Sequence, residues 1–140
     1  MRVRATALLV RQHAVLLVKE RGGPWFLPGG DLRPGELAMA AAIRELHEET
    51  CVEASAAAFL WQHVSAHHMH QVFRVAVPGD ARPRANVRAG IDDLRWVELS
   101  QLARMSVTPG TRAILERAAG VTGSVSRPDW RGSAGASPGF

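Results

Sequence analysis

Three glutamates, Glu45, Glu48 and Glu49, lie close together in a stretch that contains no glycine or proline. At about 100° per residue, positions i, i+3 and i+4 share one face of a helix, so we expect the three carboxylates to lie side by side. Like charges at this spacing destabilise a helix, and a bound divalent cation would offset their repulsion. Mg²⁺ takes oxygen ligands and commonly sits between carboxylates and a phosphate-bearing substrate. The competing interpretation is an acidic helix face that is only solvated.

The helix that must carry these carboxylates is predicted over residues 37–49. Pro34 and Gly35 mark a turn just before it. The residues that follow include a single β-branched side chain, which favours a helix. Ala42 and Leu46 form an apolar stripe on the face opposite the glutamates. The sequence therefore predicts an amphipathic helix that packs through its small apolar side and presents its acidic side to a ligand.

Charged residues and glycines next to the glutamates complete a candidate site. Glu36 lies near the start of the helix, where a negative charge is favoured. Arg44 lies beside Glu48 on the helical wheel, so we expect it either to hold that carboxylate or to pair with Glu36. Gly29 and Gly30 allow the backbone to approach a ligand closely.

Residues 30–52 resemble the Nudix (MutT-like) hydrolase box, which is written G-x5-E-x7-R-E-U-x-E-E-x-G-U with U an aliphatic residue. The preceding residues 25–30, W-F-L-P-G-G, resemble the W-x-L-P-G-G segment that is common before that box. One position departs, because Cys51 stands where the box has its second glycine. The matching positions are Gly30, Glu36, Arg44, Glu45, Leu46, Glu48, Glu49 and Val52.

The resemblance implies an α/β (α+β) fold, a Nudix-like α/β/α sandwich with a mixed β-sheet and a loop–helix–loop metal site. We expect the Nudix hydrolase domain to cover residues 1–120. Residues 121–140 are rich in serine and glycine and are predicted to form a flexible C-terminal tail, which Trp130 and Phe140 could pin to a surface. The implied activity is divalent-metal-dependent hydrolysis of a pyrophosphate bond in a nucleoside diphosphate linked to a moiety X.

The resemblance also implies roles within the box. Mg²⁺ or Mn²⁺ would be held by the three carboxylates and the carbonyl oxygen of Gly29. Arg44 would orient the carboxylates, and either Glu48 or Glu49 would accept the proton of the attacking water. The implied catalytic residues are Arg44, Glu45, Glu48 and Glu49, the implied metal ligands are Glu45, Glu48, Glu49 and Gly29, and the implied structural residues are Gly30 and Glu36.

Three alternatives stay open. Family members do not all take their base from the box, so Glu98, or Asp92 or Asp93 in a loop, could serve instead. The departure at Cys51 is compatible with a Nudix-fold nucleotide-binding module that no longer hydrolyses. The arginines of the predicted loop over residues 82–88 would suit an RNA 5′-end pyrophosphohydrolase, whose binding would weaken steeply with salt.

Cys51 falls where the helix should end, a position that commonly takes the left-handed conformation. A non-glycine residue there costs roughly 1 kcal/mol, so we expect either modest strain or a different helix end. For the side chain itself, a small buried group is the preferred interpretation and a reactive thiol is the alternative.

Strand patterns surround the box, and helix signals follow it towards the end of the chain. A short helical turn over residues 101–104 is predicted to take Ser100 as its N-cap. The last helix is predicted to begin at Thr108-Pro109 and to end before Gly120. The predicted strands are residues 2–10, 14–19, 53–61, 69–77 and 94–99.

Substrate choice should depend on segments outside the box, here residues 11–13, 61–70 and 78–90. Four of the six histidines fall in the second segment without the spacing of a zinc site. They indicate a strand or loop beside the substrate, with one histidine bonding a base or phosphate, or plain surface residues; they are His63, His67, His68 and His70. Trp25 and Leu27 are expected in the core, and the candidates for base stacking are Trp25, Phe26, Trp61, Phe73, Trp96 and Trp130.

The composition narrows the class of protein. A chain of 140 residues with 46% hydrophobic and 21% charged residues is typical of one soluble globular domain. No apolar run is long enough for a membrane span, so no membrane partner is expected. A single cysteine excludes an internal disulfide and favours the cytoplasm. A net charge of +4 does not imply a nucleic-acid partner. The resemblance implies a small nucleotide as the partner. The resemblance also implies a homodimer as one expected arrangement, because Nudix domains are often dimers.

Overall fold

The computed structural model describes residues 1–121, so the predicted tail beyond residue 121, with Trp130 and Phe140, lies outside the described residues, whereas Val121 itself belongs to the last helix. Within these described residues, seven strands and two α-helices form the fold. Two 3₁₀ turns, Val87–Ala89 and Leu99–Arg104, flank the last strand. The elements are β1 Arg2–Arg11, β2 Ala14–Glu20, β3 Trp25–Phe26, β4 Gly29–Asp31, α1 Ala38–Thr50, β5 Ala56–Val64, β6 His68–Ala76, β7 Ile91–Glu98 and α2 Pro109–Val121.

The strands form one mixed sheet with β1 at its centre. The strand order is β3-β2-β1-β6-β5, with β4 paired to β1 and β7 paired to β2. β1 runs parallel to β6 and antiparallel to β2 and β4. The first half of β1 therefore lies between β4 and β6, which brings the segment before α1 next to the middle of the sheet.

Successive residues of β1 point to opposite faces of the sheet, and each face is covered by one helix. Ala5, Ala7 and Leu9 pack with residues of α1, whereas Leu8 packs with Ile114 and Leu115 of α2. The helix prediction for α1 is confirmed, because Ala42 and Leu46 are fully buried in the first of these cores. The fold is the expected α/β/α sandwich with a mixed sheet.

Several predicted boundaries were wrong, each for a local reason. The weak strand predicted from residue 53 begins at Ala56, where pairing with Ala76 starts. β7 begins at Ile91 because its pairing with β2 continues across a bulge, so Asp92 and Asp93 lie in a strand and not in a loop. Gly120 does not end α2, since one glycine inside a helix costs only about 1 kcal/mol.

The 3₁₀ turn after β7 is capped by Glu98 and not by Ser100. The Glu98 backbone N–H donates to the Gln101 side chain, and the two residues form a reciprocal capping box. The Glu98 carboxylate accepts a hydrogen bond from the backbone N–H of Gln101, so the cap lies two residues earlier than predicted. No helix within residues 1–121 has the length and apolar character needed to cross a membrane.

The end of α1 confirms one expectation about Cys51 and corrects another. The residue is left-handed, with φ 65° and ψ 18°, and its backbone N–H donates to the carbonyl of His47. Its side chain, however, is exposed and not buried. The strained backbone therefore turns the thiol outwards, away from the core.

Candidate active site

The loop before α1 is held by a hydrogen bond between two of its own residues. Gly35 takes φ 75°, a conformation that glycine adopts without steric cost. The backbone N–H of Arg33 donates to Glu36 Oε1 over 2.9 Å. α1 begins at Ala38, after Leu37, without a side-chain cap. Glu36 therefore closes the turn and lies directly in front of the helix.

Arg44 lies at the centre of the carboxylate cluster. Its Nε and Nη2 atoms donate to the two oxygens of Glu36, each over 2.8 Å. Its Nη1 donates to Glu45 Oε2 over 2.9 Å and to Glu48 Oε1 over 3.1 Å. Nη2 also donates to the carbonyl of Asp31 over 3.2 Å. Both predicted partners of Arg44 are present, and one guanidinium holds three carboxylates at once.

This arginine changes the proton affinity of its neighbours. Its hydrogen bonds, followed by the bond from the Arg33 backbone, lower the pKa of Glu36 to about 2. The same bonds raise the pKa of Arg44 above its usual value. Glu36 is therefore ionised across the physiological range, and it serves as a fixed anchor for the arginine.

Glu49 differs from its neighbours because it is buried. Only 8% of the residue is exposed, and its Oε1 accepts a hydrogen bond from the Gly29 backbone N–H over 3.2 Å. Burial raises the pKa of its carboxyl group to about 8, with Arg4 opposing the shift and Glu45 adding to it. A cation placed beside this group would favour its ionised form.

Two adjacent glycines let the loop and the helix approach each other and the sheet. A Cβ atom on Gly30 would lie 2.5 Å from the Glu45 carboxylate. A Cβ atom on Gly29 would lie 2.3 Å from the carbonyl oxygen of Ala5. Gly30 leaves room for the Glu45 carboxylate, and Gly29 lets β4 lie against β1. Neither position therefore tolerates a side chain unless its neighbours move.

The segment after β6 closes the end of α1. The Asn86 side chain donates to the carbonyl of Glu48 over 2.6 Å, and its backbone N–H donates to the carbonyl of Glu49 over 3.0 Å. The backbone N–H of Arg84 donates to the carbonyl of Thr50 over 3.0 Å. These bonds satisfy carbonyls that a helix end leaves without partners. They also place the exposed arginines of residues 82–88 beside the carboxylate helix.

The four oxygen groups assigned to a metal by resemblance do not form a finished cage here. Among residues 1–121, no three His, Cys, Asp or Glu side chains are arranged as a ready ligand set. Glu45 and Glu48 are directed to Arg44, whereas Glu49 is directed to Gly29. Mg²⁺ needs only one or two carboxylates together with waters and substrate phosphates, so the donor chemistry fits such an ion.

The alternative bases lie on β7, which pairs with β2 and not with the strands beside the box. Asp93 accepts a hydrogen bond from the backbone of Leu94. Glu98 is engaged in the capping box and lines a separate cleft with Arg11 and Trp96. The box carboxylates Glu45 and Glu48, by contrast, are bonded directly to Arg44.

A second feature opens on the α2 side of the sheet. It is a cleft of about 440 Å³, within the range of small-molecule sites. Its floor comes from β1 and β6, and its walls come from residues 23–27, the β5–β6 turn and the start of α2. The lining residues used below are Arg4, Thr6, Phe26, Ser65, His70 and Gly110. Arg4 joins the two features, because its charge interacts with Glu49 and Glu45.

The histidines predicted beside a substrate do lie at this cleft. His67, His68 and His70 line it, and His63 is the cross-strand partner of His70, with ring centroids 5.6 Å apart. His70 is only 8% exposed. Burial, followed by the charge of Arg4, lowers its pKa to about 4. His70 is therefore neutral at neutral pH.

The residues predicted to stack on a base lie in different parts of the structure, and Phe26 and Trp25 are considered first. Phe26 lines the cleft, with the Arg4 guanidinium 5.7 Å from its ring centroid. Leu27 is 1% exposed and Trp25 packs on the same core, as predicted. The remaining described candidates contact other groups: Trp61 lies under Arg117, Trp96 under Arg11, and Phe73 against Phe59.

Comparison with known proteins agrees with this geometry. The NUDIX domain family matches residues 1–118. A Bacillus subtilis protein named as an 8-oxo-dGTP diphosphatase is 33% identical over an alignment of 111 residues that covers 76% of this chain and 72% of that protein. A Nudix hydrolase family member from Chromobacterium violaceum has a TM-score of 0.77 at 28% identity, covering 90% of this chain and 81% of its own. A MutT NUDIX hydrolase from Burkholderia pseudomallei has a TM-score of 0.70 at 29% identity, covering 82% of this chain and 95% of its own.

The mixed-sheet sandwich with its glutamate helix, together with the family and structural matches, makes this protein a Nudix-type hydrolase. The chain belongs to the NUDIX family.

Proposed function

We propose that this protein is a Mg²⁺- or Mn²⁺-dependent pyrophosphohydrolase that acts on a nucleoside diphosphate linked to a moiety X, in the cytoplasm. The observation that carries the proposal is the arrangement around Arg44, which holds Glu36, Glu45 and Glu48 on one guanidinium, with the buried Glu49 next to Glu48 in the same helix. A solvated acidic face would not bury one carboxyl group or hold three others on a single cation.

The proposed metal ligands are Glu45, Glu48, Glu49 and the carbonyl oxygen of Gly29. They are hard oxygen donors, which suit a hard divalent cation. When bound, such a cation neutralises phosphate charge and makes water a better nucleophile. The raised pKa of Glu49 supports this assignment, because a carboxyl group buried beside another carboxylate favours a cation as a neighbour.

The chain's own residues have distinct proposed tasks. Glu36 anchors Arg44, and Arg44 orients Glu45 and Glu48 until substrate arrives. Glu48 or Glu49 accepts the proton of the attacking water. Gly29 and Gly30 keep the backbone close enough for these groups to meet.

The cleft is the proposed site of the nucleoside. Arg4 borders both the cleft and the carboxylates, so the phosphates would lie at its end of the cleft. Phe26, which also contacts Arg4, is the proposed stacking partner of the base. The relative from Bacillus subtilis is named for a nucleoside triphosphate with an oxidised guanine, and this supports such triphosphates as first substrates to test.

The test is release of phosphate or pyrophosphate from a panel of nucleotides with Mg²⁺, Mn²⁺ or EDTA. The panel contains canonical and oxidised nucleoside triphosphates, ADP-ribose, nucleotide sugars, NADH, dinucleoside polyphosphates and 5′-triphosphorylated RNA. We expect release from one class that EDTA abolishes. Release that is insensitive to EDTA would contradict the proposed role of the carboxylates.

A second candidate is hydrolysis at the 5′ end of RNA, and one observation favours it. The backbone of residues 84–86 is bonded to the last carbonyls of α1, so exposed Arg82, Arg84 and Arg88 lie beside the box. Arginine suits phosphate recognition. This candidate predicts turnover of triphosphorylated RNA whose KM rises steeply with salt, and a flat response to salt would exclude it. Binding of nucleotides without any product release would instead indicate a non-catalytic module.

A further inference from the structure

A second concave site lies on the α2 face of the sheet, between β7 and the 3₁₀ turn that follows it. It is a pocket of about 500 Å³ that shares no lining residue with the cleft described above. Arg95 pairs across the strands with Leu17, which packs in the core under α2, so its side chain lies on the α2 face. We call this site the β7 pocket; its lining residues are Arg95, Ser100, Gln101, Arg104 and Met105.

The polar side chains of the β7 pocket are rich in hydrogen-bond donors that the protein leaves unused. Within residues 1–121, neither Arg95 nor Arg104 forms an ion pair, and the Ser100 hydroxyl forms no hydrogen bond. The Gln101 amide oxygen accepts from the backbone N–H of Glu98 over 2.7 Å, which leaves the N–H₂ group of that amide without an acceptor in the same range. Such a set of donors suits a ligand made of acceptor oxygens.

No carboxylate lines the β7 pocket to compete for these donors. The nearest acidic side chains on β7 are engaged elsewhere. Glu98 accepts from the Gln101 backbone in the capping box and lines the separate cleft beside Trp96. Asp93 accepts from the backbone N–H of Leu94. The charge balance at the pocket is therefore positive.

A further guanidinium occupies the backbone acceptors at the end of the 3₁₀ turn. Arg112 of α2 donates to the carbonyl of Leu102 over 3.3 Å and to the carbonyl of Met105 over 3.1 Å. These bonds take up carbonyl oxygens that would otherwise oppose an anion, and they bring another positive charge next to the pocket.

Arg95 is held over the ring of Trp25. Its Cζ atom lies 5.0 Å from the ring centroid, and Nζ of Lys19 lies 5.6 Å from the same centroid. A guanidinium that contacts an aromatic ring through its face keeps the N–H groups at its edge available for oxygens. The ring therefore limits the freedom of Arg95 without using its donors, so less entropy is lost when a ligand binds.

We propose that the β7 pocket is a binding site for a phosphate group. Phosphate carries negative charge and acceptor oxygens in several directions, so it can accept from both guanidiniums, the Ser100 hydroxyl and the Gln101 amide together. Two sources of this chemistry are inorganic phosphate, which is a product of phosphate-releasing hydrolysis, and the phosphate end of a nucleotide. The site goes beyond the proposed activity, because it contains no residue of the box or of the cleft.

The test is an NMR titration of the full chain with inorganic phosphate in EDTA, observed at the backbone amides. We expect saturable shifts of residues 95–105 that weaken as salt is added, because exposed charges are screened. Absence of saturable shifts in these residues would overturn the proposal.

Arg95→Gln/Arg104→Gln is the matching double variant, and Arg21→Gln/Arg82→Gln is its control. The control removes the same charge at two exposed arginines outside the pocket. We expect phosphate binding at residues 95–105 to weaken about tenfold or more in the first and less than about twofold in the second. Equal weakening in the two would show that net charge attracts phosphate and that the pocket does not bind it.

Arg104→Gln alone guards against loss of the fold. Arg104 is exposed, and its side chain has no hydrogen bond or ion pair within residues 1–121, so the substitution removes no contact that holds the structure. We expect this single variant to weaken phosphate binding about threefold with an unchanged midpoint of thermal unfolding. Wild-type affinity in Arg104→Gln would remove this residue from the site and contradict the pocket as drawn.

A parallel titration with ATP in EDTA distinguishes the two sources. Tighter binding of ATP than of inorganic phosphate at residues 95–105 would assign the β7 pocket to a nucleotide, and equal or weaker binding would assign it to free phosphate. Neither titration needs turnover, so a protein that hydrolyses nothing in the nucleotide panel could still show the site. Metal-dependent hydrolysis without shifts at residues 95–105 would leave the proposed activity standing and remove the site.

Discussion

The candidate sites on the two faces of the central sheet differ in charge and in how many segments of the chain form them. On the α1 face the groups are charged, and all of them come from residues 30–52, arranged around Arg44. On the α2 face most of the groups are neutral, with Arg4 and Glu20 as the charged residues of the cleft, and they come mainly from β1, the β5–β6 turn, β6 and the start of α2. One site requires that a single helix forms, whereas the other requires that four distant segments meet in register.

β1 is the strand that both sites share. Ala5 and Ala7 lie under α1, and Arg4 and Thr6 lie on the floor of the cleft. The parallel register that pairs Arg4 with His70 sets the cleft, and the antiparallel pairing of Gly29 with Thr6 sets the loop before the box. The difference between the faces suggests a division of labour, with chemistry on the charged face and choice of base on the neutral one.

The sharpest way to break this comparison is Glu49→Gln. The amide still accepts the hydrogen bond of the Gly29 backbone but cannot take a proton or hold a cation by charge, so we expect kcat to fall about a thousandfold. Glu53→Gln, at an exposed residue just after α1, is the control and should leave kcat unchanged. Gly110→Ala places a methyl group against His70 in the cleft, so in steady-state kinetics we expect it to raise KM and leave kcat unchanged. If Glu49→Gln raised KM alone, the division of labour would be wrong.

Arg44→Met tests whether the arginine organises the charged face. The change leaves three carboxylates without their common partner, and we expect kcat/KM to fall about a hundredfold, as for other groups that orient metal ligands. Arg33→Met is the control, because that arginine is exposed and makes one 3.2 Å contact with Glu48. Equal losses in the two variants would show that overall charge matters and that position does not.

The sequence was sufficient to predict the charged face. The spacing of Glu45, Glu48 and Glu49, the apolar stripe of Ala42 and Leu46 and the pairing of Arg44 follow from the geometry of one helix. Such local features depend on neighbours three or four positions apart, so they are visible in a short stretch of sequence. Functional roles of these residues stay predictions until the variants are measured.

The neutral face could not be predicted in the same way. The histidine segment was recognised, but its partners Thr6 and Gly110 lie far away in sequence, and no pattern links them. Asn86, which lies within the predicted arginine-rich loop, was missed as the residue that closes α1 for the same reason. The buried thiol was predicted wrongly because helix periodicity no longer applies once the backbone at Cys51 turns left-handed.

His70 gives the neutral face a pH dependence that can be measured as stability. Burial and the nearby Arg4, His63 and His68 lower its pKa to about 4, whereas an unfolded chain would have the ordinary value of 6.5. Above pH 6.5 neither the folded nor the unfolded chain binds a proton at His70. Between pH 6.5 and about 4 only the unfolded chain binds it, so the free energy of unfolding falls as the pH falls, and below about pH 4 this loss stops.

We expect this loss to reach about 2 kcal/mol, because each unit of pKa difference is worth about 1.4 kcal/mol and contact of the ring with cleft water reduces the sum. Urea unfolding at pH 7 and pH 4.5 measures it. His70→Gln should flatten the dependence, and the exposed His67→Gln should leave it as in the wild type. An unchanged slope in His70→Gln would show that another group controls acid stability.

Cys51→Gly carries the smallest expected effect and returns to the charged face. The residue has φ 65°, a conformation that costs a non-glycine residue about 1 kcal/mol, and its side chain makes no buried contact that a glycine would lose. We expect Cys51→Gly to raise the free energy of unfolding by about 1 kcal/mol and the midpoint of thermal unfolding by roughly 3 °C, with kcat unchanged. Cys51→Ala, which keeps a Cβ atom, should give no such gain. A gain in both variants would trace the cost to the thiol and not to the backbone, and a change of kcat in Cys51→Gly would mean that the end of α1 helps to position Glu48 and Glu49.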